Sequence, residues 1–164
     1  MIDDDLEMVL GWRNHPEIRR YMFTHHEITI DEHRRWFMRN SLDASRRLLI
    51  FILNGEALGF VHFSGVAKGA IADWGFYAAP DAPKGTGRKL GGAALKYGFQ
   101  AEGLHKICGQ ALDYNQPSIR FHQMLGFRQE GVLRDQHLDG ATYHSVICFG
   151  LLRLEWAAAG VAAE

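Results

Sequence analysis

Pro80-Asp81-Ala82-Pro83-Lys84-Gly85-Thr86-Gly87-Arg88-Lys89 is the stretch on which the fold turns. It follows an apolar, aromatic run, Ala70 to Ala78, that Pro80 ends, and it leads into apolar residues at helical spacing, Leu90, Ala94, Leu95, Tyr97 and Phe99. The chain thus passes from strand to helix through two glycines. Without Cβ atoms, Gly85 and Gly87 let backbone N–H groups face a ligand, and the first turn of a helix offers unpaired amides and the positive end of the dipole. Lys84, Arg88 and Lys89 add charge. The combination suits a pyrophosphate; a loop that only needs positive φ is the alternative.

Spacing excludes two phosphate motifs. Gly87-Arg88-Lys89-Leu90-Gly91-Gly92 leads to Ala93, so the Lys and Ser/Thr of a P-loop have no place. Leu90 stands where a dinucleotide fingerprint needs its third glycine, and His105 stands about twenty residues on, where it needs an acid.

Upstream, Leu6, Val9, Leu10 and Trp12 predict a helix over Asp4 to Asn14, and Pro16 opens a second through Tyr21. Thr29 and Glu32 form a capping box for a third helix that carries Trp36 and Phe37. Leu48 to Leu53 and Ala57 to Phe63 flank Asn54-Gly55 and predict a hairpin. The helix after the glycine loop is expected over Arg88 to Glu102. A strand follows over Lys106 to Leu112, a helix over Ser118 to Leu125, and a strand over Phe127 to Leu133 after the Gly126 stop. Asp139-Gly140 signals a second hairpin before a last strand, Tyr143 to Leu152, and Ala157 to Glu164 reads as a frayed tail or the end of the last element. The order α-α-α-β-β-β-α-β-α-β-β is an α+β pattern without repeat or linker.

At 164 residues the chain is expected to form one domain, 1–164, since domains run to about 100–200 residues. Lys plus Arg number 18 against 19 Asp plus Glu, which supplies no basic field for nucleic acid or an anionic membrane. Cys108 and Cys148 lie in apolar runs and read as buried free thiols, and Met1-Ile2-Asp3-Asp4-Asp5 lacks the character of an export signal. A cytoplasmic location is expected. Nine histidines invite a metal, with His25-His26 and Glu27 the obvious cluster, but no ligand spacing is present and none is expected.

From Trp74 to Phe127, the order strand, Gly85-Thr86-Gly87, helix, strand, then Asn115-Gln116-Pro117-Ser118-Ile119-Arg120-Phe121-His122-Gln123-Met124-Leu125-Gly126-Phe127 resembles the acetyl-CoA-binding half of the GNAT acetyltransferase superfamily. Trp12-Arg13-Asn14-His15-Pro16-Glu17-Ile18-Arg19 with His33-x-x-Trp36 is similar to the amino-terminal half of one branch, the sugar-nucleotide N-acetyltransferases of pseudaminic acid synthesis. These acetylate the 4-amine of UDP-4-amino-4,6-dideoxy-N-acetyl-β-L-altrosamine. The resemblance implies a GNAT fold, a twisted mixed sheet flanked by helices, with acetyl-CoA as co-substrate.

It also implies roles for particular residues. Lys84, Gly85, Thr86, Gly87 and Arg88 match the pyrophosphate loop, and Phe76, Tyr77 and Ala78 match the strand that takes the pantetheine arm at the family's strand splay. Asn115 matches a pantetheine contact, Ser118 is expected to cap the following helix, and Phe121 and His122 to line the thiol end. Three departures carry consequences. Ala82 stands where the loop usually begins with Gln or Arg, which weakens one phosphate contact; His122 replaces the tyrosine that protonates the thiolate; and Met1-Ile2 leaves no length for a first strand, so an exposed sheet edge is expected.

Acyl transfer from a thioester needs an oxyanion site, an acid for a thiolate of pKa ~8.5, and a base for the amine. Backbone around Tyr77 and Ala78 suits the first; His122 or Tyr77 suits the second; Asp113 and His62 are both candidates for the third. On the acceptor side, Arg13 and Asn14 suit a substrate phosphate, and Trp36 and Trp74 suit a uracil or sugar face, with core packing the alternative for each tryptophan. The expectation is an N-acetyltransferase acting on a small-molecule amine of a nucleotide-linked amino sugar, as monomer or homodimer. Acetylation of a ribosomal-protein or peptide N-terminus is the runner-up, and a non-catalytic acyl-CoA-binding module the alternative from another class.

Overall fold

A computed structural model describes residues 1–161. Leu6–Asn14 (α1) follows a short 3-10 turn, Pro16–Arg19 forms α2 with proline at its first position, and Ile30–Ser41 forms α3. The Thr29 side chain accepts from the Glu32 amide while Glu32 accepts from the Thr29 amide, so α3 starts where its capping box dictates.

Arg46–Leu53 (β1) and Glu56–Ser64 (β2) make the expected hairpin, with Asn54 and Gly55 both at positive φ, 54° and 84°. Ile71–Ala78 (β3) pairs antiparallel with β2. Thr86–Lys96 (α4) then carries the chain across to Lys106–Leu112 (β4), which pairs parallel with β3, the geometry that requires a crossover helix. α4 begins two residues before the expected Arg88. It also stops short of Glu102, because Tyr97–Ala101 widens into a π turn in which the Glu102 amide reaches back to the Tyr97 carbonyl.

Gln116–Met124 (α5) leads to Arg128–Asp139 (β5) and Thr142–Leu152 (β6). β5 outruns the expected Leu133 because its pairing with β6 slips between Leu133 and His137, where Asp135 sits at φ 49°, and then resumes to Asp139. Arg153–Val161 (α6) is a helix that the sequence pattern did not predict; it contains Ala157, while residues 162–164 of the expected tail lie outside the described residues.

The sheet order is β1-β2-β3-β4-β6-β5. No strand precedes α1 among the described residues; instead the Met1 backbone nitrogen donates to the Leu48 carbonyl on edge strand β1. One face of the sheet is dry: Phe63, Trp74, Leu90, Leu95, Phe99, Ile107, Phe149 and Leu151 pack between it and α4, α5 and α6. Alternation puts Phe60, His62, Gly75 and Tyr77 on the opposite face, where α3 covers β1 and leaves an opening over β2, β3 and β4. Among the described residues no helix is long and apolar enough to cross a membrane.

Candidate active site

Parallel pairing of β3 with β4 lasts only from Ile71 opposite Lys106 to Asp73 opposite Cys108. Beyond that point β3 stays paired with β2 as far as Ala78, and β4 with β6 as far as Leu112, so the two strands part as a wedge. The β4 side of Gly75, Phe76, Tyr77 and Ala78 is left without a strand partner, an edge that accepts an extended chain by main-chain hydrogen bonds. The wedge is packed on its helical side. A Cβ on Gly109 would fall 2.3 Å from His122 Nε2 and 2.7 Å from Trp74 Nε1, so the strand glycine makes room for two rings.

At the N-terminus of α4, Gly85 is the N-cap at φ 89°, left-handed backbone that favours glycine. The Thr86 amide donates to Pro83 and the Lys89 amide to Gly85, which leaves the Gly87 and Arg88 amides between them with no backbone acceptor among the described residues. Thr86 is buried; Lys84, Arg88 and Lys89 are exposed around it. Open amides, a helix N-terminus and three cations fit a pyrophosphate.

On the other face a cavity of about 660 Å³ lies over the wedge, within the range of small-molecule sites. Its floor includes Phe60, His62, Gly75, Phe76, Tyr77, Cys108 and Gln110, and its roof the α2–α3 connection with Arg13, His33 and Trp36. The roof is strapped down locally. Both ends of the Asn14 amide bond the Ile28 backbone, donating at 2.8 Å and accepting at 2.9 Å, and Arg13 Nη2 donates to the Thr24 carbonyl at 3.0 Å. Arg13 Nη1 and His33 Nε2 are buried without a partner. Burial, with Arg13 nearby, pulls His33 below its ordinary pKa and keeps it neutral, while the Arg13 guanidinium, also lowered by burial, retains its charge.

Beside this wedge, loop and cavity stands a family match: residues 1–128 match the family described as Acetyltransferase (GNAT) domain. The chain belongs to the GNAT acetyltransferase family. It is 25% identical over 123 residues to Acetyltransferase PseH of Campylobacter jejuni, covering 75% of this chain and 76% of that one. An uncharacterized N-acetyltransferase, YokL, of Bacillus subtilis is 34% identical over 86 residues, about half of each chain (51% and 49%). The structure of spermidine N-acetyltransferase from Vibrio cholerae superposes with a TM-score of 0.87 at 22% identity, covering 96% and 95%. An N-acetyltransferase from Staphylococcus aureus superposes with a TM-score of 0.76 at 21% identity, covering 93% and 95%. As a GNAT protein the chain is an acetyl-CoA-dependent N-acetyltransferase, and no cluster of metal-binding side chains occurs among the described residues.

Within this GNAT frame the expected site residues separate. Phe76, Tyr77, Asn115, Ser118, Trp36 and Arg13 line the cavity, and Trp74 and His122 touch it from the core side. Burial pushes the Tyr77 hydroxyl well above its ordinary pKa, against a smaller pull from Arg13, so it holds its proton. Ser118 does not cap α5: Asn115 does, its Oδ1 accepting from the Ser118 amide at 3.1 Å. Phe121 does not reach the cleft but packs its ring 4.7 Å from Phe76, against α4 at Gly91. Asn14 is held in the Ile28 strap at both ends of its amide and does not line the cavity. Trp74 is 5% exposed and stacks on Phe127 at 5.1 Å, which makes it core rather than a platform for a base.

His122, expected as the acid, is 1% exposed, and both ring nitrogens are occupied. Nδ1–H donates to the Ser118 carbonyl at 2.8 Å, and Nε2 accepts from the Trp74 indole at 3.2 Å. That fixes a neutral tautomer with no proton free for the cleft, and burial lowers its pKa further from charging. Asp113 is outside the cavity, accepting from the Ser145 amide and facing His144. The two cysteines are free but half-buried rather than buried, and Cys108 lines the cavity. Gly75 and Gly109, which shape the wedge, drew no attention in the sequence; the signal was there, because a glycine inside a strand pattern marks a close approach.

Proposed function

We infer that the protein moves the acetyl group of acetyl-CoA to the amine of a nucleotide-linked amino sugar, the 4-amine of a UDP-sugar. The observation that carries this is Arg13: its guanidinium lines the acceptor cavity with Nη1 buried and unpaired. An unsatisfied buried N–H costs about 1–3 kcal/mol, which a phosphate oxygen offsets with a charge-assisted bond. Neutral His33, next to it, adds a second buried nitrogen for an oxygen-rich ligand. The likeness to PseH agrees with this acceptor.

On this reading Lys84 to Arg88 hold the pyrophosphate of the donor, and the free edge of Phe76 to Ala78 takes its pantetheine arm. Asn115, its Oδ1 spent on Ser118, keeps its amide N–H groups for that arm. Tyr77, a phenol lining the cavity at the open edge of β3, is the proton donor for the departing thiolate. A polyamine such as spermidine would meet the Arg13 cation, and of the two carboxylates that share the cavity with it, Glu32 is already bonded by Thr29 and His26 while Asp73 is exposed at its edge.

Thiol release is measured with acetyl-CoA and a panel containing a UDP-linked 4-amino sugar, the same sugar without nucleotide, spermidine and an N-terminal peptide. The nucleotide-linked sugar is expected to give the highest kcat/KM. Equal rates with the free sugar, or preference for spermidine or peptide, overturn the assignment.

A further inference from the structure

Four histidines line the cavity, and the structure treats them differently: His26 is paired with Glu32 at 3.2 Å. His122 has both nitrogens bonded, and His33 Nε2 is sealed from solvent. His62 is half-buried, opens into the cavity, and bonds to no described residue. Its ring is 6.0 Å from Phe60 and reaches the strand opposite it at Gly75 of β3, Nε2 leading. An added Cβ on Gly75 would fall 2.2 Å from His62 Nε2, so only glycine lets the imidazole lean on the β3 backbone there.

The register gives that position meaning. Asp73 faces Cys108 in the last closed pair of β3 and β4, and Gly75, two residues on, is already inside the wedge. His62 therefore leans over the start of the open edge on which the thioester arm is laid. The other ionisable groups of the cavity are tied up or set back. Glu32 is held by the Thr29 amide and hydroxyl and by His26, Asp73 is exposed below the opening, and Arg46 acts on His62 from β1 only at a distance.

We propose that His62 is the general base that takes the proton from the acceptor amine as it attacks the acetyl carbonyl. This rests on the acyl-transfer reading of the wedge and not on which amine is used. The amine lone pair forms the C–N bond, the carbonyl π pair moves to oxygen, and His62 Nε2 takes one N–H proton. When the carbonyl reforms, the C–S pair leaves on sulfur and Tyr77 gives it a proton. Solvent then returns a proton to Tyr77 and removes one from His62, so amine and thioester become amide and thiol. Burial, with a smaller contribution from Arg46, pushes His62 down to about 4, so its lone pair is free wherever the amine itself is neutral. A weak base suffices, because the nitrogen becomes strongly acidic once bonded to the carbonyl carbon.

The test compares wild type, His62→Gln, His62→Ala and Asp73→Asn with whichever amine the wild type acetylates. The two His62 variants are expected to lose about 10²- to 10⁴-fold in kcat, with the acceptor KM and the Kd of CoA little changed. Added imidazole is expected to restore His62→Ala in proportion to its concentration. A His62→Gln kcat within about threefold of wild type, or a loss that appears instead in Asp73→Asn, overturns the proposal. A crystal of the wild-type protein with an inert acetyl-CoA analogue tests it without any acceptor. The attack position about 3 Å above the acetyl carbonyl carbon, where the amine nitrogen must sit, is expected to fall within ~3.2 Å of His62 Nε2, or one water away. A carbonyl beyond that reach overturns the assignment of the base while leaving the acceptor question to the amine panel.

Discussion

The Trp74 indole N–H donates to Nε2 of His122 across 3.2 Å, joining residues 48 apart in sequence on the helical side of the strand wedge. With Nδ1–H given to the Ser118 carbonyl, His122 acts as a neutral strut between β3 and α5. A histidine where much of this superfamily places a proton-donating tyrosine has thus become part of the core, and the proton donor is sought on the opposite face of the sheet.

Trp74→Phe removes the donor and leaves Nε2 buried and unpaired, at an expected cost of about 1–3 kcal/mol in chemical denaturation. The strut also sets a pH dependence. Burial lowers the folded-state pKa of His122, so as pH falls through about 6.5 the unfolded chain takes up a proton first. Stability is therefore full above about 6.5 and declines as pH falls toward the folded-state value. His122→Gln is expected to make the stability profile less steep between about pH 7 and 5, leaving the same-signed contributions of His33 and His62. An unchanged slope would show that His122 titrates alike in both states.

Gly85→Ala tests the donor site. A side chain at φ 89° is strained by about 1–2 kcal/mol, which the loop relieves by turning the Gly87 and Arg88 amides away. The Kd of CoA in calorimetry is expected to rise about 5- to 30-fold. Lost stability with unchanged CoA affinity would remove the pyrophosphate from this loop.

Local chemistry was legible in the sequence and long-range partnership was not. Asn54-Gly55, the Thr29–Glu32 box and Gly85 each need only neighbouring residues to fix a backbone angle or a cap, and all three form as read. β5 ran past its expected end because its bulge at Asp135 depends on pairing with β6, and α6 exists because Trp156 finds Phe99, 5.3 Å away across the core. In the site the same divide holds. The glycine loop and the β3 edge are contiguous segments, whereas the duties of Asn14, Trp74 and His122 are set by Ile28 and by one another, and no spacing along the chain announces such pairs.

Asn14→Ala separates positioning from contact. Losing two bonds to the Ile28 backbone frees the roof of the cavity at its α3 end. Faster hydrogen exchange at the Ile28 amide and a raised acceptor KM are expected, with the Kd of CoA unchanged, because the donor loop lies outside this cavity. A KM equal to wild type would mean that the roof does not shape the acceptor site.

Arg13→Gln bears most directly on the acceptor. Glutamine removes the charge and the unpaired Nη1 and, being shorter, also gives up the Thr24 bond that Nη2 now makes, a loss common to every acceptor that the comparison among acceptors cancels. Against a phosphate-bearing acceptor the loss is that of a hydrogen bond to a charged group, about 1.5–3 kcal/mol, or roughly 10- to 150-fold in kcat/KM. Against the same amino sugar without its nucleotide the loss should be much smaller, because no phosphate is present to lose. Against spermidine it should improve, since a cation has been removed from the path of a polycation. Equal losses across all three acceptors would show that Arg13 supports the cavity wall and reads no phosphate. Tyr77 supplies an internal check: Arg13 pulls its hydroxyl pKa down against burial, so the variant should raise that pKa further and leave the hydroxyl protonated over the whole assay range.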